Sequence, residues 1–381
     1  MPPPPVADPA KRRARRLRRW AGKLLRGGGA FLWHLAGAWT MLGIFYTVPG
    51  PAVFRALLAA AAMTTFVVAW RRQRQPRQDP PPPAAAAKPG ALAPGLSRRR
   101  WILAAIIIAV AYAAWHFLAL RPQTHLDWAA DQAVMPHVEI DSRTVRVRNV
   151  RNFSWRSETE FSPAYYDATY DLDQLVSMDY AVAPFSKAGG LAHVFLCFGF
   201  SDGRHVAVSV EARRTNRQAY EPVASLFRQY HLMYVIGDER DILGLRGVAA
   251  KGRVQLYPAR TTPARRRAIF LDMMRRAGAL ETKPEFYNLA TSNCMNNIVW
   301  HLRRLDEDSG DPRVRGRARA IPGPVRLVLT GFSDRVAYNL GYLDTDLPFE
   351  QARETFRVDD RIRRHLHDDD FSRRIRAPEP R

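Results

Sequence analysis

Hydrophobic and polar positions divide this chain into two regimes, continuous apolar runs up to Leu120 and short alternating runs beyond it. The clearest run is "WILAAIIIAVAYAAWHFLAL", Trp101–Leu120: twenty residues without Asp, Glu, Lys or Arg, directly preceded by Arg98–Arg100. At about 1.5 Å rise per residue it crosses a hydrocarbon core of roughly 30 Å as one helix. Two weaker segments, Ala30–Val48 and about Ala52–Trp70, lie upstream and are separated by "PGP". Arg55 shortens the apolar part of the second, so the two read as a transmembrane hairpin or a re-entrant pair. The number of crossings is then one or three.

Past Leu120 the pattern predicts strands first ("TVRVRNV", "LAHVFLCFGF", "HVAVSVEA", "LMYVIG", "VQLYP") and helices after them, at Pro263–Ala279 and from Cys294 onwards. That order is mixed, an α+β domain. The stretch "LAHVFLCFGFSDGRHVAVSVEARR" reads as a hairpin. Val194, Leu196, Phe198 and Phe200 share a parity with Val206, Val208 and Val210, so both sets face one core only if the connection has an odd length. "SDG" at Ser201–Gly203 supplies three residues with glycine in the left-handed position. In that register Phe200 faces Arg204 and His193 faces Glu211. The opposite face carries His193, Phe195, Cys197, Gly199, His205, Ala207, Ser209 and Glu211, all but Phe195 polar or small.

Charge changes the picture at the N-terminal end. The formal charge is +22, and much of the excess sits in "KRRARRLRR" at Lys11–Arg19 and in the basic residues between Arg71 and Arg100. Both runs flank apolar segments, which is the orientation signal that keeps Lys and Arg in the cytoplasm. No aromatic-interleaved basic strand or zinc-finger spacing accompanies them, so no nucleic-acid partner is expected. The opening "PPPP", with no small-residue cleavage site after the first apolar stretch, argues against a cleaved signal. The expected organisation is a basic cytoplasmic N-terminus (1–29), two apolar segments (30–70), a disordered Pro/Ala/Arg cytoplasmic linker (71–100), a transmembrane helix (101–120), an outer domain (121–350) and a charged, solvated helix or tail (351–381).

The chain has two cysteines, Cys197 and Cys294, with no CxxC spacing. Either they pair once, in an oxidising compartment, or at least one is a working thiol. Cys294 follows the capping residues of "TSNC" and opens a run with apolar Ile298, Val299, Leu302 and Leu305. The positive end of a helix dipole favours thiolate there. A small buried hydrophobe is the competing reading. Opposed residues in a hairpin have Cβ atoms about 4.5–5.5 Å apart, which lets Glu211 orient the His193 imidazole. A half-exposed sheet whose polar residues meet solvent fits the same pattern. A zinc site of His193, Cys197, His205 and Cys294 is disfavoured, because strand positions i and i+4 lie about 13 Å apart. No metal and no cofactor are expected. "GDERD" at Gly237–Asp241 reads as a polar turn with ion pairs, Tyr165 and Tyr166 as core or groove residues, and His301 as an edge residue.

Four ordered blocks, "VRNVRNFSWRSETEFSPAYYDATYDLDQL", "LAHVFLCFGFSDGRHVAVSVEARR", "LFRQYHLMYVIGDERDILGLR" and "YNLATSNCMNNI", together resemble the Lnb N-terminal periplasmic domain family. "MPHVEIDSRTV" and "GYLDTDLPFE" extend the resemblance to roughly Asp127–Glu350. It implies a permuted papain-like thiol fold, an antiparallel sheet packed on helices, with His on a strand before Cys on a helix. Lecithin retinol acyltransferase and related phospholipid acyltransferases share that order. The lipoprotein transacylases that give the family its name are described as moving an acyl chain from the glycerol of a lipid-modified cysteine to its own amine.

The resemblance maps His193 onto the base and Cys294 onto the nucleophile. The Cys294 N–H, helped by Asn293, would form the oxyanion hole. A second His twelve residues after the first is common in the lecithin-retinol type, and His205 has that separation. The longer hairpin here puts it about 20 Å along the strand from His193, which favours Glu211 as the orienting residue. The expected partners are the lipid bilayer and a lipid or lipoprotein substrate. Peptidoglycan amidase or peptidase chemistry, or an inactive envelope scaffold, are the alternatives.

Overall fold

The computed structural model describes residues 9–74, 98–186, 190–249, 252–307 and 310–377, without the side chains of 9–27, 98, 249 and 325. Most of the expected linker, and the side chains of the basic run Lys11–Arg19, lie outside the described residues. The chain forms two compact units, Met1–Arg121 and Pro122–Arg381. The division falls where the last apolar run ends.

The first unit is helical: α1 (Pro9–Thr47), α2 (Ala52–Arg74) and α3 (Arg98–Ala114), the last extended by a wide turn at Trp115–Ala119. Two segments, Ala52–Arg74 and Arg99–Ala119, are long and apolar enough to cross a membrane. Ala30–Thr47 forms the later part of α1, which continues through "GGG" instead of starting there. Phe66, Ala69 and Ala105 are buried between helices, with Trp33, Trp101 and Ile102 packed on them. Gly43 is required for this packing, since a Cβ there would sit 1.9 Å from the Tyr112 hydroxyl oxygen. Outward-facing Phe31, Leu32, Val53, Leu57, Ile107 and Val110 are exposed. An apolar perimeter around a small core suits lipid as the surrounding medium.

The second unit is built on one eight-stranded sheet. Its strands are β1 (His137–Ile140), β2 (Thr144–Arg151), β5 (Tyr165–Asp171), β6 (Leu175–Pro184), β7 (Ala192–Phe200), β8 (His205–Arg213), β9 (His231–Asp238) and β10 (Gln255–Pro258), while β3 (Ser154–Trp155) and β4 (Phe161–Ser162) form a separate ribbon. The order is β1-β2-β9-β8-β7-β6-β10, with β5 also on β2. Every pairing in it is antiparallel except β2 with β9. The helices are α4 (Glu239–Gly244), α5 (Pro263–Thr282), α6 (Cys294–Glu307), α7 (Pro312–Ala320), α8 (Ser333–Asn339), α9 (Phe349–Thr355), α10 (Asp359–His365) and α11 (Phe371–Arg376). The domain is α+β, as the sequence pattern predicts.

The β7–β8 register pairs Phe195 with Ser209, Leu196 with Val208, Cys197 with Ala207 and Gly199 with His205. This is the register required by the odd-length turn, and Gly203 takes φ +89° in it. Phe198 and Phe200 pack edge-on against Phe270 of α5. The other face, expected to be mostly polar or small, is not a solvent face. Phe195, Cys197 and Ala207 lie in a core with Ile242 and Leu243 of α4, Ile362 of α10, and Phe371 and Ile375 of α11.

The C-terminal segment therefore differs from the solvated helix or tail expected of it. Its few apolar residues seal the sheet, and its arginines pair with buried carboxylates. Arg376 donates to Asp179 Oδ2 (2.6 Å) and to Glu239 Oε2 (2.8 Å). "GDERD" is likewise internal. Asp238 caps α4, Glu239 takes Arg376, and buried Asp241 accepts from Arg151 Nε (2.8 Å), Arg151 Nη2 (3.0 Å), the Phe153 N–H (2.9 Å) and Trp155 Nε1 (2.7 Å). These partners run from the end of β2 to β3, so a single carboxylate fixes both strands to α4. His301, expected at an edge, is fully buried: Nδ1 meets Asp272 Oδ2 at 2.7 Å and Nε2 meets the Tyr234 hydroxyl at 2.8 Å. It joins α5, α6 and β9. Tyr166 donates to Asp238, and Tyr165 packs on Phe153.

Candidate active site

His193 stands second in β7, and the strand is clamped just before it. The Ala192 N–H donates to Thr330 Oγ1 (2.7 Å), and the Thr330 hydroxyl donates back to the Ala192 carbonyl (2.6 Å). On β8, Ser209 and Glu211 are two residues apart and so point to the same face. Ser209 Oγ donates to Glu211 Oε1 (2.8 Å) and lies 2.6 Å from His193 Nε2, while Glu211 Oε1 is itself 3.0 Å from that nitrogen. With the hydroxyl directed at the carboxylate, Nε2 carries its proton toward Ser209, and Nδ1 is the nitrogen left for another partner. Cys294 lines the same cleft and is close enough to influence the proton affinity of the imidazole.

Asparagines position the thiol. Asn288 Oδ1 accepts from the Ala290 and Thr291 N–H groups (2.9 and 3.1 Å), and the Ser292 N–H returns to the Asn288 carbonyl (2.8 Å). Asn288 Nδ2 ties this tight loop to the Leu226 carbonyl. Asn293 then caps α6, its Oδ1 accepting from the Asn296 N–H at 2.7 Å. Cys294 is thus the first residue of the helix, at the end where main-chain N–H groups lack intrahelical acceptors. The expected oxyanion role for the Asn293 side chain does not fit this geometry. Its Nδ2 hydrogens are directed at the Leu289 carbonyl (2.8 Å) and the Leu327 carbonyl (3.5 Å), and its oxygen is the cap. His205 lies beside Gly199 near the turn, with Nδ1 3.1 Å from the Gly203 carbonyl, and does not join His193.

Cys294, His193, Glu211 and Asn293 line one cleft of about 530 Å³. Arg246, Tyr220 and Tyr287 complete its reactive end, and a narrow apolar cavity of about 60 Å³ lies elsewhere, along Met295, Ile298 and Leu302 of α6. Burial is the largest influence on the His193 imidazole and pushes its pKa down. The Glu211 charge opposes it, Arg246 adds to it, and the proximity of Cys294 and Glu211 tips the balance, so the pKa is raised. Burial pushes the Glu211 carboxyl up, but His193 first, then Arg246 and Ser209, hold it well below the usual carboxylate range. Burial, then the neighbouring Cys294 and Tyr220, raise the Tyr287 phenol far above its usual value, so it stays a neutral donor. Cys197 is a different thiol: both cysteines are free, but Cys197 is held protonated chiefly by burial, beside Glu239.

These shifts set a pH window. Glu211, depressed in the fold, contributes stability that is complete above its unfolded value near 4.3 and is lost as pH falls through the lower folded value. His193, raised in the fold, contributes fully below about 6.5 and loses that contribution as pH rises through its folded value. The melting-temperature gap between wild type and Glu211→Gln should therefore be widest between about pH 4.5 and 6.5 and narrow on either side. A gap independent of pH would show that the pair is not ionised as drawn.

Ser209, Tyr220, Tyr287 and Arg246 were not singled out as site residues from the sequence. Ser209 carried a signal, sharing parity with Glu211 on β8. The two tyrosines and Arg246 reach the cleft from separate loops, which no local pattern connects.

The fold and site define an α+β domain with a thiol, an imidazole and a carboxylate on one cleft, preceded in the sequence by helices long and apolar enough to cross a membrane. Residues 161–325 match the family model of the Lnb N-terminal periplasmic domain, so this segment is a member of that family, as the four sequence blocks imply. A periplasmic domain family, together with two helices long and apolar enough to cross a membrane, is consistent with a membrane-anchored periplasmic protein. No curated protein and no solved structure matches the chain.

Proposed function

We propose that the chain is an inner-membrane-anchored, periplasmic thiol acyltransferase or acyl hydrolase acting on an envelope lipid or lipoprotein. The observation that carries this reading is that the Cys294 thiol, at the start of α6, lines the same cleft as a buried His193 that Ser209 and Glu211 orient. A nucleophile, a base and a third group fixing the base are the parts covalent acyl transfer needs. The order, His on a strand before Cys on a helix, is that of a permuted papain-like enzyme. The helices of the first unit act as the anchor, with the basic segments on the cytoplasmic side.

His193 Nδ1 takes the Cys294 proton, and the thiolate attacks an ester carbonyl. The tetrahedral oxyanion is held by the Cys294 N–H at the helix start, with the neutral Tyr287 hydroxyl as a nearby donor. Collapse breaks the carbon–oxygen ester bond, and the imidazolium returns its proton to the departing alcohol. The Cys294 thioester is then attacked by an amine or by water, whose proton passes to His193 and back to the released thiolate.

A lipid substrate is favoured by the cleft surroundings. Phe185, which lines the cleft, is 60% exposed, and Leu329 and Phe332, either side of cleft-lining Thr330, are each 55% exposed. Such exposed apolar side chains suit contact with acyl chains. The test offers the full-length protein, in phospholipid vesicles, either a diacylated lipopeptide or a cross-linked peptidoglycan fragment, and follows products by mass spectrometry. Loss of an ester-linked acyl group is expected. Cleavage of the peptidoglycan fragment would favour an amidase or peptidase, and no turnover of either an inactive scaffold.

A further inference from the structure

Four arginines lie at or near the cleft, and three are committed. Arg151 is bidentate on Asp241, Arg214 pairs with Asp131 at 3.0 Å, and Arg213 donates to the Gln132 and Ala133 carbonyls while stacking on Trp128. Arg246 is not satisfied in this way. It sits on the wide turn Leu245–Ala249 after α4, and that turn is pinned by the Gly252 N–H on the Arg246 carbonyl at 3.0 Å. Among the described residues the guanidinium makes one hydrogen bond to a side chain, Nη2 to Glu211 Oε1 at 3.3 Å. That is long for a charge-assisted bond, which prefers about 2.7–2.9 Å. The same oxygen already takes Ser209 and lies against His193. Among the described residues Arg246 Nε is buried with no hydrogen-bond partner, and the guanidinium carbon lies 6.0 Å from the centroid of the Phe185 ring.

A guanidinium presents five donors in a planar fork that suits a carboxylate or phosphate. A mostly buried one that lines a reactive cleft with donors unused is a place for an anion.

We infer that Arg246 binds an anionic group of the substrate, a phosphate or carboxylate carried beside the scissile carbonyl, and so selects charged over neutral acyl donors at Cys294. This rests on the thiol reading of the site and adds to it a substrate chemistry. The geometry supplies the reason: Arg246 and the thiol open onto the same cleft, and Glu211, the one carboxylate on Arg246, is shared with the base. An anion entering at Arg246 takes up the spare donors without displacing Glu211 from His193. Arg246 is a binding residue here and takes no proton.

The experiment compares alkylation of Cys294 in the full-length protein by iodoacetate, an anion, and iodoacetamide, its neutral counterpart. Intact and peptide mass spectrometry separate Cys294 from buried Cys197. Dividing the two rates, and then by the same ratio for free cysteine, removes any general change in thiol reactivity. The normalised ratio should exceed one in the wild type. It should fall roughly tenfold or more in Arg246→Gln, the scale of one lost charge-assisted bond, and be partly kept in Arg246→Lys. Arg214→Gln, which removes a committed cation from the same cleft, should leave it unchanged. An equal fall in Arg214→Gln, or no fall in Arg246→Gln, would overturn the assignment.

On the wild-type protein, inorganic phosphate and acetate should protect Cys294 from iodoacetamide more than chloride at matched ionic strength. Equal protection by all three would count against an anion site even if the glutamine variant failed to fold. If neither reagent labels Cys294, it is the thiol reading that fails. If both label it without charge preference, only the role of Arg246 does.

Discussion

Cys294→Ser should lower acyl transfer or hydrolysis by at least about 10³-fold, the scale seen when the nucleophile of a coupled set is removed. The substitution keeps the shape of a small side chain that is 5% exposed, so the cap at Asn293 and the loop tied by Asn288 should persist. What changes is proton affinity. A hydroxyl holds its proton far more tightly than a thiol, and His193, though strengthened as a base by Glu211, is not strong enough to take it. In cells, the variant should leave envelope lipids and lipoproteins as they are in a strain lacking the protein, with the wild-type copy restoring the difference. Mass spectrometry of both fractions checks this. A serine variant that restored the wild-type pattern would remove Cys294 from the chemistry.

Arg376→Ala should cost about 3–5 kcal/mol, the range for removing one partner of a buried ion pair. One guanidinium here answers two carboxylates, Asp179 on β6 and Glu239 at the start of α4, and Glu239 has no exposed side-chain surface. Truncation leaves both charges facing each other and the Cys197 thiol in a core closed by Phe371 and Ile375. For a domain of this size the melting temperature should fall on the order of 10 °C, followed by calorimetry or circular dichroism on the purified chain. Arg376→Lys should recover part of the loss as a point charge that cannot span both carboxylates. A variant as stable as wild type would mean that the C-terminal helices are not part of the domain core.

That segment also marks where the sequence stops being legible. The β7–β8 register followed from parity alone, because a strand's side chains alternate with period two and an odd connection preserves that alternation across the turn. From it came the pairing of His193 with Glu211. The same local reasoning failed on β6, "LVSMDYAVAP", which is covered on both faces and so shows no alternation to read. It failed on the second face of β7 too. Cys197 and Ala207 look like small residues beside solvent until α4, α10 and α11, far away in sequence, are packed over them. The C-terminus itself is charged enough to suggest a tail. A few apolar residues, Val358, Ile362, Phe371 and Ile375 among them, mark its buried side, and Arg376 pairs with acids more than 100 positions earlier.

The site divides in the same way. Cys294 was visible as a rare thiol at a helix start, and His193 as a polar residue on a patterned strand. Asn293 was misjudged because a residue before a helix can either cap it or donate from it. Its amide contacts to Leu289 and Leu327 depend on loops that no pattern positions. Arg246 sits at the end of a block that resembles the family, yet its spare donors appear only when β8 brings Glu211 beside it.

On this mechanism Cys294 carries the acyl group between donor and acceptor. The most direct measurement is the intact mass of the full-length protein, acid-quenched early in a reaction with lipid vesicles and no amine acceptor. The expected result is an added acyl mass on Cys294 that hydroxylamine removes, as it does a thioester, and that is absent from Cys294→Ser or present there only as a hydroxylamine-resistant ester. Acyl release at the full wild-type rate from Cys294→Ser, or an adduct that maps to a residue other than Cys294, would contradict it.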